Sequence, residues 1–99
     1  MKNVIITFRI KPSASLEFVR KIIREFIAAI LQKEPNTLLY RSLQDTDDPY
    51  SFHHLMTFAD ENAQQLHRDS SHCSSFVSQL YPLCIEAPQV RNVEEIKPQ

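Results

Sequence analysis

The stretch from Phe52 to Leu80 constrains the fold of this chain more than any other part of the sequence. It begins with a strand-like run, FHHLMTF, and an Asp60-Glu61 pair follows, which is typical of the start of a helix. Apolar residues then recur at helical spacing. A strand that leads directly into helices predicts a domain of mixed α and β structure.

The rest of the chain continues this alternation. Residues 4–10 are rich in β-branched side chains and predict a strand, and the residues from Leu16 to Pro35 predict an amphipathic helix. The apolar face of that helix is predicted to hold Val19, Ile23, Phe26, Ile27, Ile30 and Leu31. Strands follow at 37–43 and 51–58, then helices capped by Asp60 and by Ser70 or Ser71, and a weak strand at 89–96. The order β-α-β-β-α-β predicts one ferredoxin-like α+β domain with an antiparallel sheet over residues 1–99.

The first predicted strand has apolar residues on both of its faces. Alternation places four apolar residues on one face and makes the other face half apolar. The first face holds Val4, Ile6, Phe8 and Ile10, and the second holds Ile5, Thr7 and Arg9. Helices cover only one face of such a sheet, so the second face is expected to be covered by another copy of the chain. Oligomerisation is also a common remedy for the small core of a short chain.

The net charge of −1 gives no reason to expect a polyanionic partner, although the charge is unevenly distributed. Basic residues predominate in residues 1–41 and acidic residues in residues 42–99. Such asymmetry can mark a nucleic-acid surface. The basic residues are scattered over one helix and two strands, however, which favours two halves that pack against each other. We therefore expect no nucleic-acid partner.

Several features predict a cytoplasmic protein. No apolar run approaches the roughly 18 residues that a transmembrane helix needs, so we expect no membrane partner. The first residues lead directly into a strand and do not have the layout of a signal peptide. Cys73 and Cys84 would lie too far apart for a disulfide if one helix ran through both, so reduced and mostly packed thiols are expected.

The chain contains no glycine, and this excludes several kinds of site. A glycine-rich phosphate loop and a nucleophile elbow both require glycine. The RNA-recognition module shares this strand order but needs a glycine and aromatic pattern that the third strand lacks. Asn36 follows Pro35 at a turn, and asparagine is the residue that best tolerates a left-handed backbone after glycine.

Four histidines are the main candidates for chemistry. His53 and His54 are neighbours on a strand, so they point to opposite faces and cannot bind one ion together. His67 and His72 are five residues apart, about 140° around a continuous helix, which is not the spacing of a helical metal pair. Either His67 bonds a carbonyl at a helix end while His72 caps the next helix, or at least one of them lines the polar end of a cavity.

One part of the chain resembles the signature of the antibiotic biosynthesis monooxygenase (ABM) family. The resemblance consists of the third strand followed by the Asp60-Glu61 pair, Ala63, His67, four further residues, His72 and Phe76. The resemblance extends over nearly the whole chain. It implies a homodimer in which two ferredoxin-like domains form a dimeric α/β barrel. Members of the family often have glutamate at the position of Met56 and tryptophan at that of Phe58. Haem-degrading relatives use a tryptophan and an asparagine on the first strand. We expect no haem degradation, because the chain has no tryptophan and its predicted first strand, Val4 to Ile10, has no asparagine.

The resemblance implies a monooxygenase that uses O2 on a small aromatic or quinol-like substrate, with no metal and no other cofactor. The resemblance then implies that His54 and His67 accept a proton from the substrate and that the hydroxyl of Tyr40 orients the substrate. The expected substrate-binding residues are Met56, Phe58, His72 and Arg9. Tyr40 and Arg9 could instead have purely structural roles. Tyr40 would then be a buried tyrosine whose hydroxyl is hydrogen-bonded, and Arg9 would form a salt bridge across the dimer.

Two other function classes stay open at this point. The family is also similar to an isomerase of a phosphorylated sugar, for which Arg9 or Arg41 would hold the phosphate. A dimeric ligand-binding or stress-response protein without catalysis is the third class, because Met56 and Phe58 depart from the family pattern. Oxygen dependence separates the first class from the second, and turnover of a bound ligand separates both from the third.

Overall fold

A computed structural model describes all residues from Met1 to Gln99. Its elements follow the predicted order. They are β1 (Lys2–Arg9), α1 (Leu16–Lys33), β2 (Thr37–Gln44), β3 (Ser51–Phe58), α2 (Glu61–Asp69), α3 (Ser71–Leu80) and β4 (Gln89–Val93), with a short 3₁₀ turn at Tyr81–Leu83. The last strand is shorter than the predicted 89–96. The first strand begins at Lys2 and not at Val4, so it does contain an asparagine, Asn3. The exclusion of haem degradation therefore rests on the missing tryptophan alone.

The four strands form one antiparallel sheet in the order β2-β3-β1-β4. This is the ferredoxin-like topology, so the predicted α+β fold is confirmed. An irregularity between Thr37 and Leu39 shifts the pairing of β2 with β3. After this shift Tyr40 lies opposite Met56 and shares the helix-covered face with it. The irregularity therefore determines which β2 side chains face the helices.

Local capping explains where α1 begins and ends. The Ser15 hydroxyl accepts a hydrogen bond from the backbone N–H of Phe18, and Pro35 prevents the helix from continuing past Glu34. The buried stripe of α1 consists of Val19, Ile22, Ile23, Phe26 and Ile30. Leu31 is 76% exposed, so its predicted place on the core face was wrong. At 100° per residue Leu31 lies about 120° from Val19, outside the stripe.

The core lies between α1, α3 and one face of the sheet. Phe26 of α1 stacks on Phe76 of α3 with ring centroids 4.2 Å apart, and Phe8 stacks on Phe52 across β1 and β3 at 5.3 Å. All four rings are buried. Stacked aromatic pairs of this kind contribute roughly 0.5–1.5 kcal/mol each beyond the area that they bury. The first pair holds α1 against α3, and the second pair packs β1 against β3.

The turns and helix starts use polar side chains and need no glycine. The Asp60 carboxylate accepts from the N–H of Ala63 to begin α2, and the Ser70 hydroxyl accepts from the N–H of Cys73 to begin α3. No residue has a positive φ. The turn at Asn36 therefore does not use the left-handed backbone for which asparagine was considered.

The face of the sheet opposite the helices is bare. Its apolar side chains are exposed or half-buried, and they are Ile5, Leu39, Leu43, Leu55 and Val93. A dimeric barrel through this face stays a prediction. None of the three helices combines the length and the apolar character that crossing a bilayer would require.

Candidate functional site

A cavity of about 850 Å³ lies between the helix-covered face of the sheet and the elements α2, α3 and β4. Fifteen of its 25 lining residues are hydrophobic, so its interior is mainly apolar. Five of the seven site residues predicted from sequence line it. They are Tyr40, His54, Met56, Phe58 and His67.

Tyr40 and His54 form a hydrogen-bonded pair on the wall of the cavity. The Tyr40 hydroxyl lies 2.7 Å from Nδ1 of His54, and the two rings meet edge to face. The strand register produces this pair, because Tyr40 lies opposite Met56 and His54 is two residues before Met56 on the same face. His54 is 1% exposed, and its Nε2 is buried without a hydrogen-bond partner.

Burial keeps both members of this pair neutral. Desolvation, with a smaller contribution from the neighbouring His53, lowers the pKa of His54 to about 4. Desolvation also raises the pKa of Tyr40 well above its usual value, and nearby Cys73 and Glu34 add to this effect. At neutral pH the bond therefore joins an un-ionised phenol to an uncharged imidazole.

A second buried cluster lies where α1, β2, α2 and α3 meet. The carboxylate of Glu34 accepts hydrogen bonds from three side chains. Nδ1 of His67 lies 2.9 and 3.1 Å from the two carboxylate oxygens, and the Thr37 hydroxyl donates over 2.6 Å. Nε2 of His72 contacts the same carboxylate. All three ionisable side chains are nearly buried, with exposures of 7% for His67, 8% for Glu34 and 11% for His72.

The partners of Glu34 determine its charge state. Burial on its own raises the pKa of Glu34, but the hydrogen bonds from Thr37 and His72 and the attraction of His67 outweigh it, so the net pKa is lowered. For His67 burial is the largest cause and lowers the pKa, while Glu34 opposes this and His72 and Arg68 reinforce it. Glu34 is thus an anion, and His67 is held against it.

Sequence reasoning missed Glu34. It predicted either that His67 bonds a carbonyl or that it lines a cavity, and the structure shows that His67 bonds the Glu34 carboxylate and lines the cavity. Ser70, not His72, caps α3. The available signal was Pro35, because the residue before a proline leaves helical geometry and its side chain turns away from the helix.

Two predicted site residues do not line the cavity. His72 contacts Glu34 behind the cavity wall. Arg9 lies on the bare face, where its Nε donates to the Asp48 carboxylate over 3.0 Å at an exposed position. Arg41, the other predicted phosphate ligand, also points to the bare face, opposite Leu55. The structure therefore separates both arginines from the cavity by the thickness of the sheet.

No group of three or more His, Cys, Asp or Glu side chains has an arrangement that could hold a metal ion. In the Glu34 cluster the histidine nitrogens bond the carboxylate oxygens directly. Cys73 and Cys84 are free thiols, half-buried and buried respectively. Cys73 lines the cavity next to Phe76.

Comparison with known protein families identifies the family to which this chain belongs. The family model for antibiotic biosynthesis monooxygenases matches residues 1–79, which include Tyr40, the third strand and both α2 and α3 up to Gln79. The chain belongs to the antibiotic biosynthesis monooxygenase family. No curated protein matches the sequence.

Solved structures agree with this membership of the ABM family. One, described as an antibiotic biosynthesis monooxygenase, is 25% identical with a TM-score of 0.88, and the match covers 98% of this chain and 100% of the other. A protein from Methanosarcina mazei is 18% identical with a TM-score of 0.86, and covers 96% and 92%. A protein from Mycobacterium tuberculosis is also 18% identical, with a TM-score of 0.85, and covers 98% and 96%. The last two establish a shared fold only.

This ABM-family chain has an apolar cavity wall at the two positions that depart from the family pattern. Met56 and Phe58 are both buried, and Phe58 packs against the ring of His67 with centroids 5.2 Å apart. Polar groups that could act on a bound molecule are therefore supplied from elsewhere in the cavity. Among them are the Tyr40–His54 pair and His67.

Proposed function

We propose that this chain is a cofactor-independent monooxygenase that oxidises a small aromatic or quinol-like compound inside the cavity. The observation that carries the proposal is the combination of a mainly apolar 850 Å³ cavity with Tyr40, His54 and His67 on its wall. This volume lies in the range of about 300–1,000 Å³ that is typical of small-molecule sites. Membership of the ABM family supports the reaction class.

The chemistry balances without a separate reductant. A hydroquinone reacts with O2 to give a hydroxyquinone and water. One oxygen atom enters the ring, the other leaves as water, and the substrate supplies all four electrons. The reaction begins when the phenol loses its proton, because the electron-rich phenolate can pass an electron to oxygen. The protein contributes a dry pocket, a proton acceptor and hydrogen-bond donors for the developing charge.

The residues on the cavity wall match these tasks. Met56 and Phe58 exclude water from the ring of the substrate. The Tyr40 hydroxyl, held by His54, orients the substrate oxygen, and the histidines accept the phenolic proton. The charged residues that line the cavity are two of each sign, Lys2 and Arg68 against Glu61 and Glu94, so they favour neither an acidic nor a basic substituent.

The proposal includes a homodimer formed through the bare face of the sheet. Ile5, Leu39 and Leu55 present apolar surface there, next to polar side chains such as Thr7 and His53. Two such faces brought together would bury this surface and complete an α/β barrel. The cavity lies on the other side of the sheet, so the dimer would support the fold of each domain.

Neither alternative function class gains support from the geometry. The isomerase alternative relied on Arg9 or Arg41 for the phosphate, and both lie on the face opposite the cavity. A ligand-binding protein without catalysis would need the cavity but would not need an acid–base group on its wall. Turnover separates this class from the proposed function.

The test is oxygen uptake by metal-stripped protein over a panel of hydroquinones and polyphenols. Val77→Trp fills the cavity from α3, and Ser78→Trp adds the same ring at the neighbouring exposed position as a control. We expect uptake by the wild type and by Ser78→Trp, and loss of uptake in Val77→Trp. Uptake that survives in Val77→Trp, or no uptake by the wild type with any compound of the panel, would count against the proposed function.

A further inference from the structure

The cavity contains two histidines that could accept the proton of a substrate, and their environments differ. Nε2 of His54 is buried and has no partner within the protein, so a bound molecule does not reach it without displacing its neighbours. Nε2 of His67 also makes no hydrogen bond but is not buried in this way, and His67 lines the cavity. Only the second histidine presents a ring nitrogen to a substrate.

The other ring nitrogen of His67 is fixed by a carboxylate. Nδ1 lies within hydrogen-bond distance of both oxygens of Glu34. A carboxylate is an acceptor only, so in this bond Nδ1 carries the proton and donates. A neutral imidazole protonated at Nδ1 has its lone pair at Nε2. The Glu34–His67 bond thus turns the accepting nitrogen towards the cavity.

We propose that His67 is the catalytic base of this site and that Glu34 is its positioning residue. This inference rests on the proposed function, since it assigns a role within the same cavity. It narrows the two proton acceptors expected from sequence to one. The Tyr40–His54 pair then serves as a neutral hydrogen-bonding unit that orients the substrate.

Glu34 has two tasks in this arrangement. It selects the tautomer of His67 before the reaction, and its negative charge stabilises the imidazolium that forms when Nε2 takes the proton. His72 and Thr37 hold the carboxylate from its other sides, so its oxygens cannot turn away from Nδ1. Two neighbours act against Glu34: the charges of His72 and Arg68 disfavour the protonated form of His67 and so lower its pKa.

The test combines NMR of the histidine rings with kinetics on Glu34→Gln. Glu25→Gln makes the same change at an exposed position of α1 and serves as the control. In the wild type we expect His67 to be protonated at Nδ1 near neutral pH. In Glu34→Gln we expect its titration to move to lower pH, because the charge that favours the imidazolium is gone while burial remains.

The second readout is the kinetics of each variant on a compound that the wild type oxidises. We expect His67→Ala to lower kcat by about 100-fold or more, the range of a lost general base. Glu34→Gln should lower kcat less, leave KM nearly unchanged and move the acidic limb of the pH–rate profile to lower pH. Glu34→Asp, which keeps the charge, should recover part of kcat.

Failure of this inference can be distinguished from failure of the proposed function. A wild-type His67 protonated at Nε2, or a His67 titration that is the same in Glu34→Gln and Glu25→Gln, overturns the inference without any assay of activity. A wild type that consumes oxygen, combined with a Glu34→Gln pH–rate profile identical to that of Glu25→Gln, overturns the inference and leaves the proposed function standing. Circular dichroism of each variant verifies that it has folded.

Discussion

His54 is a buried histidine with one satisfied nitrogen and one unsatisfied nitrogen, and this combination links the pH of the solution to the stability of the fold. Its pKa falls from 6.5 to about 4 because burial disfavours the charged ring. The unfolded chain therefore binds a proton in the pH range where the folded chain does not. Stability is fully present above about pH 6.5 and decreases as the pH falls towards about 4.

The first prediction follows from this linkage. Acidification across that range should lower the free energy of unfolding by an amount on the order of 3 kcal/mol for His54, with a further decrease in the same direction from His67. In His54→Gln the pH dependence should become flatter, whereas His53→Gln should keep most of it, because burial is the larger cause of the lowered pKa of His54. Urea unfolding at a series of pH values measures this, and equal slopes for the wild type and His54→Gln would contradict it.

The second prediction concerns the bond between Tyr40 and His54. Tyr40→Phe removes the hydroxyl and leaves Nδ1 of His54 buried without a partner. We expect a loss of about 1–3 kcal/mol of unfolding free energy, the usual cost of an unsatisfied buried polar group. Tyr50→Phe is the matched control, because the Tyr50 side chain packs on the core and has no hydroxyl bond. A loss in Tyr40→Phe no greater than the control's would show that the bond is unimportant for stability.

At the scale of elements, the junction between α2 and α3 positions His67 relative to Glu34. Ser70 ends one helix and begins the next, since its hydroxyl donates to the His67 carbonyl over 2.7 Å and accepts from the N–H of Cys73 over 3.2 Å. One side chain thus fixes the angle between the two helices. The position of the proposed base depends on this cap as well as on its own contacts.

The third prediction is that Ser70→Ala destabilises the protein by about 1 kcal/mol, the typical cost of losing a helix cap. Ser74→Ala, at an exposed position inside α3, should change stability much less. Hydrogen exchange should also become faster in α2 and α3 of Ser70→Ala and stay unchanged in α1. Equal effects of the two serine variants would show that the cap does not hold the junction.

The elements themselves were largely predictable from sequence, because their signals are local. The alternation of β3 correctly grouped Phe52, His54, Met56 and Phe58 on one face, and all four are buried. Leu31 was misplaced because a run of apolar residues does not show where the edge of a buried stripe lies. The site was predictable only in part, since the contact between Glu34 and His67 joins residues 33 positions apart in the sequence and depends on how four elements meet.

At the scale of the whole molecule, the sheet has one covered face and one bare face. The bare face holds apolar side chains that a solitary domain would leave in water. A second copy is the partner that we propose for this face, since two identical faces can cover each other about a twofold axis.

The fourth prediction tests this association. Leu55→Glu places a charge in the middle of the bare face, opposite Arg41, and should convert a dimer into a monomer, because the interface would have to take two added carboxylates out of water. Leu31→Glu, at an exposed position of α1, should leave the dimer intact. Sedimentation at several protein concentrations measures both. A wild type that is monomeric at all concentrations would contradict the prediction.

The neighbouring residues His53 and His54 give this protein a spectroscopic reporter on each side of one sheet. The ring of His54 faces the cavity, while the ring of His53 is on the bare face beside the hydroxyl of Thr7. A small molecule that enters the cavity should shift the ring signals of His54, and a second copy that covers the bare face should shift those of His53. A single histidine spectrum can thus distinguish ligand binding from self-association without any label added to the chain.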